Sequence, residues 1–165
     1  MFSSLILLDK KLSHKVHNTQ LGRFDYILAV FALCCSYIGV PIFLTSFYCL
    51  IGSLFAILYL KLVLSGLLIT TVLKKLTRRS RPHRHAKRLI NLRWLESNLS
   101  FPSGDSYQAG CLAMFLVHHF GSNLFISFIP LVMFARVYFG FHWIGDTLMG
   151  SLIGVMMTQY LLTVY

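Results

Sequence analysis

Long apolar stretches with few charges are the feature of this sequence that most limits the folds open to it. Residues 26–46 and 50–73 each approach the roughly 20 apolar residues that a membrane-spanning helix needs. Three more apolar segments follow at 103–120, 123–140 and 143–164. Only 12% of the residues are charged, against about 25% in ordinary soluble domains, so much of the apolar surface must face lipid. The sequence therefore predicts an all-α membrane helical bundle with about five transmembrane helices.

The first 24 residues have a different pattern, in which leucines alternate with basic side chains. The leucines are Leu5, Leu8 and Leu12, and the basic residues among them include Lys10, Lys11 and Lys15. This pattern is typical of an amphipathic helix that lies in the membrane interface. We therefore divide the chain into an interfacial helix at residues 1–24 and a transmembrane core at residues 25–165.

Positive charge is concentrated in two places along the chain, whose formal net charge is +10. Four Lys or Arg residues fall in residues 1–25 and nine fall between Lys74 and Arg93. With five spans, both groups lie on the same membrane face, which the positive-inside rule assigns to the cytosol. We expect a multi-pass protein of the endoplasmic reticulum or the bacterial inner membrane. A short basic loop between apolar blocks does not indicate a nucleic-acid partner, and the sequence leaves the oligomeric state open.

Metal binding is not indicated by the sequence. The four cysteines all lie in apolar segments, and none has the spacing of a zinc ligand relative to another Cys or to His. We expect them to be inert, and no cofactor is implied.

The first of three polar clusters begins at Lys74 and ends at Arg81-Pro82, at the end of a predicted span. Lys74 and Arg81 are seven residues apart, so they share a helix face if the helix continues for two turns. Pro82 then ends the helix. Arg and Lys side chains bind phosphate oxygens, although the same cluster is also typical of a positive-inside anchor.

The second cluster is Phe101-Pro102-Ser103-Gly104-Asp105, which opens the third predicted span. Ser is a favoured N-cap residue, and Gly lets another group approach the backbone closely. The start of a helix binds anions through its free N–H groups and its dipole. By itself, the segment is more typical of an ordinary helix cap.

The third cluster contains Arg136, His142 and Asp146. His142 and Asp146 are separated by four residues, so on a helix they meet on one face. A carboxylate that fixes one imidazole nitrogen leaves the other free as a base or nucleophile. The alternative is a satisfied polar pair at a helix end. Ionisable groups at membrane depth are costly and usually functional, and the chain has only five acidic residues.

Together, the three clusters are more specific than any of them alone. Lys-x6-Arg-Pro, Pro-Ser-Gly and Arg-x5-His-x3-Asp follow one another at span ends on one face. This arrangement resembles the type 2 phosphatidic acid phosphatase family over Lys74–Asp146. The short chain and the Ser-Phe-Pro-Ser-Gly sequence are most similar to its polyisoprenoid diphosphate phosphatase branch.

The resemblance implies a metal-free membrane phosphatase that acts on lipid phosphates or diphosphates, with isoprenoid diphosphate as the favoured substrate. The groups implied to hold the phosphoryl oxygens are Lys74, Arg81, Ser103, the Gly104 amide and Arg136. His142, oriented by Asp146, is implied to attack phosphorus and form a phosphohistidine. Membrane lipids and the lipid substrate are the expected partners.

Two positions depart from the family pattern. Ala135 stands where the family usually has Ser before the Arg. Asp105 stands where the family usually has the His that protonates the leaving group. Asp105 therefore takes the place of the general acid, and it leaves open an alternative, a catalytically inactive relative that binds anionic lipid or acts as a membrane scaffold.

Overall fold

The computed structural model of the protein describes residues 2–83, 88–90, 92 and 99–165, so part of the predicted basic loop lies outside the described residues. Helices dominate this part of the chain: α1 (Phe2–Asn18), α2 (Phe24–Cys34), α3 (Gly39–Leu50), α4 (Ser53–Thr77), α5 (Gly104–Phe120), α6 (Phe128–Tyr138) and α7 (Ile144–Val164). A short 3₁₀ helix at Asn123–Ser127 precedes α6. The predicted fold class, an all-α membrane helical bundle, is confirmed.

Within the described residues, two helices are long and apolar enough to cross a bilayer alone, namely α4 with 25 residues and α7 with 21. The pair α2 and α3 is long and apolar enough to form one broken span, with a bend of 67° between its halves. The other predicted spans correspond to α5 and to the 3₁₀ helix followed by α6. Most of α5 is buried by the helices around it.

The first predicted span is itself broken, between Cys34 and Gly39. α3 then continues to Leu50, and the expected break before the second span follows at residues 51–52, where α4 has yet to begin. The Ser36 hydroxyl donates to the Leu33 carbonyl (2.7 Å) and accepts from the Ile38 amide (3.2 Å), and such local bonds compete with helix continuation. A Cβ atom on Gly39 would lie 1.6 Å from the Cys34 carbonyl oxygen, so only glycine lets the chain fold back here.

Helices α5 and α7 approach each other closely because glycines stand at their interface. A Cβ atom on Gly150 would lie 2.3 Å from the Ser103 carbonyl oxygen, and one on Gly154 would lie 2.1 Å from that of Tyr107. Small residues allow this kind of close backbone packing between membrane helices. The Ser103 amide also donates to the Asp146 carbonyl (3.0 Å). The starts of α5 and α7 are thereby held side by side.

Helix α1 lies against α6 and α7 and is two-sided. Ser13 and His17 are buried, whereas the leucines Leu5, Leu7, Leu8 and Leu12 are exposed. This sidedness agrees with an amphipathic helix. Its location in the membrane interface stays a prediction.

Candidate active site

A cavity of about 450 Å³ lies between the ends of α4, α5 and α6 and the break that separates α2 from α3. One part is lined by the polar residues Lys74, Arg81, Gly104, Asp105, Arg136 and His142. Another part is lined by apolar side chains, among them Val40, Pro41, Val63 and Leu67. The cavity thus combines cationic groups with an apolar wall.

Lys74 and Arg81 reach the cavity by a different route from the predicted one. α4 ends at Thr77, and Arg78 adopts a left-handed conformation with φ 49°, so the prediction of a helix continuing to Arg81 is wrong. The Arg78 amide donates to the Lys74 carbonyl (2.9 Å) and closes the helix. The chain then turns, and the Arg81 guanidinium donates to the Phe141 carbonyl (2.7 Å). The two cations meet through this turn rather than along a helix face.

The start of α5 follows the prediction in part. Ser103 is the N-cap residue, and its hydroxyl accepts from the Ser106 amide (3.2 Å). Ser103 is fully buried and does not line the cavity, whereas Gly104 and Asp105 do. By position, the amides of Gly104 and Asp105 have no acceptor inside the helix. The helix start therefore presents N–H groups and its positive dipole end to the cavity.

Arg136 is a buried cation at the end of α6, with 2% of its side chain exposed. Its Nη1 donates to the Ala32 carbonyl (3.1 Å), and its Nη2 forms an ion pair with Asp105. The guanidinium also lies 4.0 Å from the ring centre of Phe141. Asp105 thus pairs with one edge of the guanidinium to which the resemblance assigns phosphate binding.

His142 is held by a partner that the sequence did not indicate. α7 begins at Ile144, after His142, so the prediction that His142 and Asp146 stack on one helix is wrong. Nδ1 of His142 lies 2.8 Å from the Ser100 carbonyl oxygen and 3.7 Å from Oδ2 of Asp146, which is beyond hydrogen-bond range. Asp146 is therefore an ionic neighbour of His142, and Ser100 is its direct acceptor.

The environment of His142 favours the neutral imidazole. Burial and, to a smaller extent, the charges of Arg81 and Arg136 lower the pKa of His142 to about 4, although Asp146 acts in the opposite direction. A neutral imidazole has one nitrogen with a lone pair. His142 therefore has the charge state of a nucleophile at neutral pH.

Asp146 lies behind His142 and is fully buried. Its Oδ1 accepts from Arg79 (2.7 Å), and its Oδ2 accepts from the Trp143 amide (2.9 Å) and from the Ser100 hydroxyl. Asp146 does not line the cavity. It fixes Ser100, and Ser100 in turn contacts the imidazole.

Four functional candidates were missed in the sequence: Asp9, Arg79, Ser100 and Gln108. Gln108 lies one turn after Gly104 on α5 and lines the cavity, and its amide oxygen has no hydrogen-bond partner within the described residues. The scarcity of acidic residues was a usable signal for Asp9, since it is one of only five. Ser100 is the first residue of the Ser-Phe-Pro-Ser-Gly sequence, which gave it no role of its own, and nothing in the local sequence distinguishes Gln108.

Comparison with known proteins gives one family match. Residues 54–165 match the model of the PAP2 superfamily. No curated protein matches the chain significantly.

Two solved structures share the fold. LpxE of Aquifex aeolicus superposes with a TM-score of 0.77 at 22% identity, over 93% of each chain. The transmembrane PAP2-type phosphatidylglycerolphosphate phosphatase of Bacillus subtilis gives a TM-score of 0.74 at 23% identity, over 96% of this chain and 84% of that one.

Proposed function

Because the chain belongs to the PAP2 superfamily, we propose that it is a membrane phosphatase that hydrolyses lipid phosphates or diphosphates, with isoprenoid diphosphate as favoured substrate. The observation that carries the proposal is the convergence of His142 with Lys74, Arg81 and Arg136 on one cavity. Phosphoryl transfer depends mainly on positioning and on compensation of the phosphoryl charge. A neutral nucleophile beside three cations provides both.

In the first step, Nε2 of His142 attacks the terminal phosphorus while Lys74, Arg81, Arg136 and the start of α5 hold the phosphoryl oxygens. The N–P bond forms as the bond from phosphorus to the leaving oxygen breaks, and the electron pair of that bond leaves with the lipid. The proton on Nδ1 stays hydrogen-bonded to the Ser100 carbonyl. The cationic groups stabilise the charge of the in-line transition state.

In the second step, water attacks the phosphohistidine. The O–P bond forms, the N–P bond breaks, and the electron pair returns to Nε2. Inorganic phosphate leaves, and the neutral imidazole is restored. Both protons of the attacking water leave with the phosphate as H₂PO₄⁻.

Asp105 supports the choice of a diphosphate. A carboxylate paired with Arg136 is a poor proton donor, and a lipid monophosphate is a leaving group that needs none. The apolar wall formed by Val40, Pro41, Val63 and Leu67 suits a hydrocarbon chain. We infer the polyisoprenoid branch of the family on these two grounds.

Asp105 also favours a second candidate, an inactive relative that binds anionic lipid or scaffolds other membrane proteins. A carboxylate on Arg136 competes with substrate phosphate for that cation. Against this candidate, a binding protein has no need of a buried neutral imidazole in which one nitrogen has no hydrogen bond to the described residues. We therefore place it second.

One experiment separates the two candidates. Purified protein in detergent is supplied with farnesyl diphosphate, phosphatidic acid or a sphingoid phosphate, and inorganic phosphate is measured. We expect release that persists in EDTA and is blocked by vanadate, which mimics five-coordinate phosphorus. Lipid binding without release from any of the three would favour the inactive relative, and release that requires Mg²⁺ would contradict the metal-free mechanism.

We also infer how the protein lies in the membrane. The exposed leucines of α1 face lipid in the interface, and the cavity opens toward the cytosol with the basic residues. Helices α2 to α7 form the transmembrane core.

A further inference from the structure

We propose that Asp9 of α1 is a positioning residue of the active site, which acts through Arg79 and Asp146 on the group that orients His142. Asp9 lies before residues 54–165, the part of the chain that matches the family. The proposal rests on the function proposed above.

Arg79 joins two carboxylates that are remote in sequence. Its Nη2 lies 2.6 Å from Oδ2 of Asp9, and its Nη1 lies 2.7 Å from Oδ1 of Asp146. The Asp9 side chain is 16% exposed, and that of Asp146 is fully buried. A planar guanidinium presents its N–H donors in a fixed geometry, so it sets the separation of the two carboxylates.

Asp9 also holds the first turn of α7 directly. Its Oδ1 accepts from the Gly145 amide (3.0 Å), and the buried Ser13 hydroxyl accepts from the Ile144 amide (3.0 Å). A Cβ atom at Gly145 would lie 2.9 Å from Oδ2 of Asp9. The N–H groups at a helix start need acceptors, and here α1 supplies them from another part of the chain.

The network continues from Asp146 to the imidazole. Asp146 accepts from the Ser100 hydroxyl, and the Ser100 carbonyl lies 2.8 Å from Nδ1 of His142. The Ser100 amide donates to the Arg79 carbonyl (2.8 Å). Arg79 thus holds Ser100 through its backbone and Asp146 through its side chain.

Loss of the Asp9 carboxylate frees one side of Arg79 and weakens one contact at the start of α7, the hydrogen bond from the Gly145 amide. No described residue of α1 lines the cavity, so substrate binding should change little. What should change is the alignment of His142 for attack, and a small misalignment of a nucleophile has a large effect on rate.

The test is the kinetics of Asp9→Asn with farnesyl diphosphate. We expect kcat to fall about 10- to 100-fold, the range found when partners behind metal ligands are removed, with KM nearly unchanged. Lys11→Gln is the matched control, because Lys11 is an exposed residue of the same helix. Asp9→Glu, which keeps the carboxylate, should retain more activity than Asp9→Asn.

A double-mutant cycle distinguishes positioning from general destabilisation. If Asp9 acts through Asp146, Asp9→Asn should have little further effect on kcat in an Asp146→Asn background. If the losses of kcat in Asp9→Asn and Asp146→Asn simply multiply in the double variant, the proposal is overturned. A normal kcat in Asp9→Asn would overturn it as well. Melting temperatures of all variants are measured in the same detergent.

Two further comparisons close the test. If Asp9→Asn does not yield folded protein, Arg79→Lys breaks the same bridge while keeping the positive charge. This variant must show the same loss of kcat and the same non-additivity with Asp146→Asn. A normal kcat in Arg79→Lys overturns the proposal. Failure of the proposed function is distinguishable, because then wild-type protein and His142→Ala release phosphate equally poorly.

Discussion

Nδ1 of His142 lies 2.8 Å from the main-chain carbonyl oxygen of Ser100. A carbonyl oxygen only accepts hydrogen bonds, so Nδ1 must carry the proton and donate it. In the neutral imidazole, the lone pair is then on Nε2, which makes no hydrogen bond with the described residues. The contact between His142 and Ser100 therefore decides which nitrogen can attack.

The first prediction is that a covalent intermediate forms on Nε2 of His142. Rapid mixing with farnesyl diphosphate, followed by alkaline quenching and mass spectrometry or ³¹P NMR, should find Nε2-phosphohistidine at residue 142. His142→Ala should form no adduct and should lose phosphate release, while its melting behaviour remains cooperative. Phosphate attached through Nδ1, or turnover retained in His142→Ala, would contradict the tautomer assigned here.

The fold could be predicted from the sequence further than the site could. The length of the apolar segments and the order of the three clusters were enough for the helical bundle and for six residues that line the cavity, but Ser103 and Asp146 do not line it. The i, i+4 argument for His142 and Asp146 failed because it holds only within a helix, and α7 begins two residues after His142. The prediction that Lys74 and Arg81 share a helix face failed for a similar reason, because the left-handed Arg78 ends α4 before Arg81.

The partners that hold the site together are remote along the chain. Ser100 is 42 residues from His142, and Arg79 is 70 from Asp9 and 67 from Asp146. Local patterns carry no information on such pairs, because only the packing of α1 and α7 brings them together. Their side chains are also common types for caps and basic loops, so residue type alone did not separate them from surface residues.

The second prediction concerns stability and pH. The unfolded chain protonates His142 near its ordinary pKa of about 6.5, whereas in the folded protein burial lowers that pKa to about 4. Between these values only the unfolded state takes up the proton, so this residue reduces stability as pH falls from about 6.5 toward 4. The limiting slope for one proton is about 1.4 kcal/mol per pH unit.

The measurement is the melting temperature of wild type and His142→Asn in detergent, from pH 7.5 to 4.5. The difference between the two proteins cancels the other titrating groups. We expect the melting temperature of His142→Asn to rise relative to that of the wild type as pH falls below about 6.5. A difference that stays constant over this range would show that His142 is not buried in its neutral form.

The third prediction is that the active-site face is cytosolic. All Lys and Arg residues apart from Lys61 and Arg136 lie in residues 1–25 or 74–93, and the arrangement of five spans predicts both groups on the same membrane face. Leu89, which is 60% exposed, is a suitable position for a single cysteine on that face. Asn123, beyond the far end of α5, provides the matched position on the opposite face.

Each cysteine is introduced into a variant without the four native ones and is labelled with an impermeant maleimide in sealed vesicles of known orientation. Leu89→Cys should react from the cytosolic side and Asn123→Cys from the other side. The reverse pattern would place the active site outside the cytosol and would refute the prediction.

The fourth prediction concerns Asp105, the position at which this chain departs from the family pattern. Expelling a lipid alkoxide requires a proton donor, and such acid catalysis is worth about 10²- to 10⁴-fold. Expelling a lipid monophosphate does not, because that anion is a weak base. Asp105 is ion-paired with Arg136 and so is held as an acceptor rather than a donor. The native protein should therefore cleave farnesyl diphosphate much faster than phosphatidic acid and should stop at the lipid monophosphate.

Two substitutions at residue 105 test this reasoning. Asp105→His supplies a donor, so it should raise the rate on phosphatidic acid relative to farnesyl diphosphate, within the range of about 10²- to 10⁴-fold that acid catalysis provides. Asp105→Asn is the matched control, because it releases Arg136 from its ion pair without supplying an acid. That control should change both rates together and leave their ratio as it was. If the native protein cleaves both substrates equally fast, Asp105 or another group already protonates the leaving oxygen, and the preference for diphosphates has no basis in this residue.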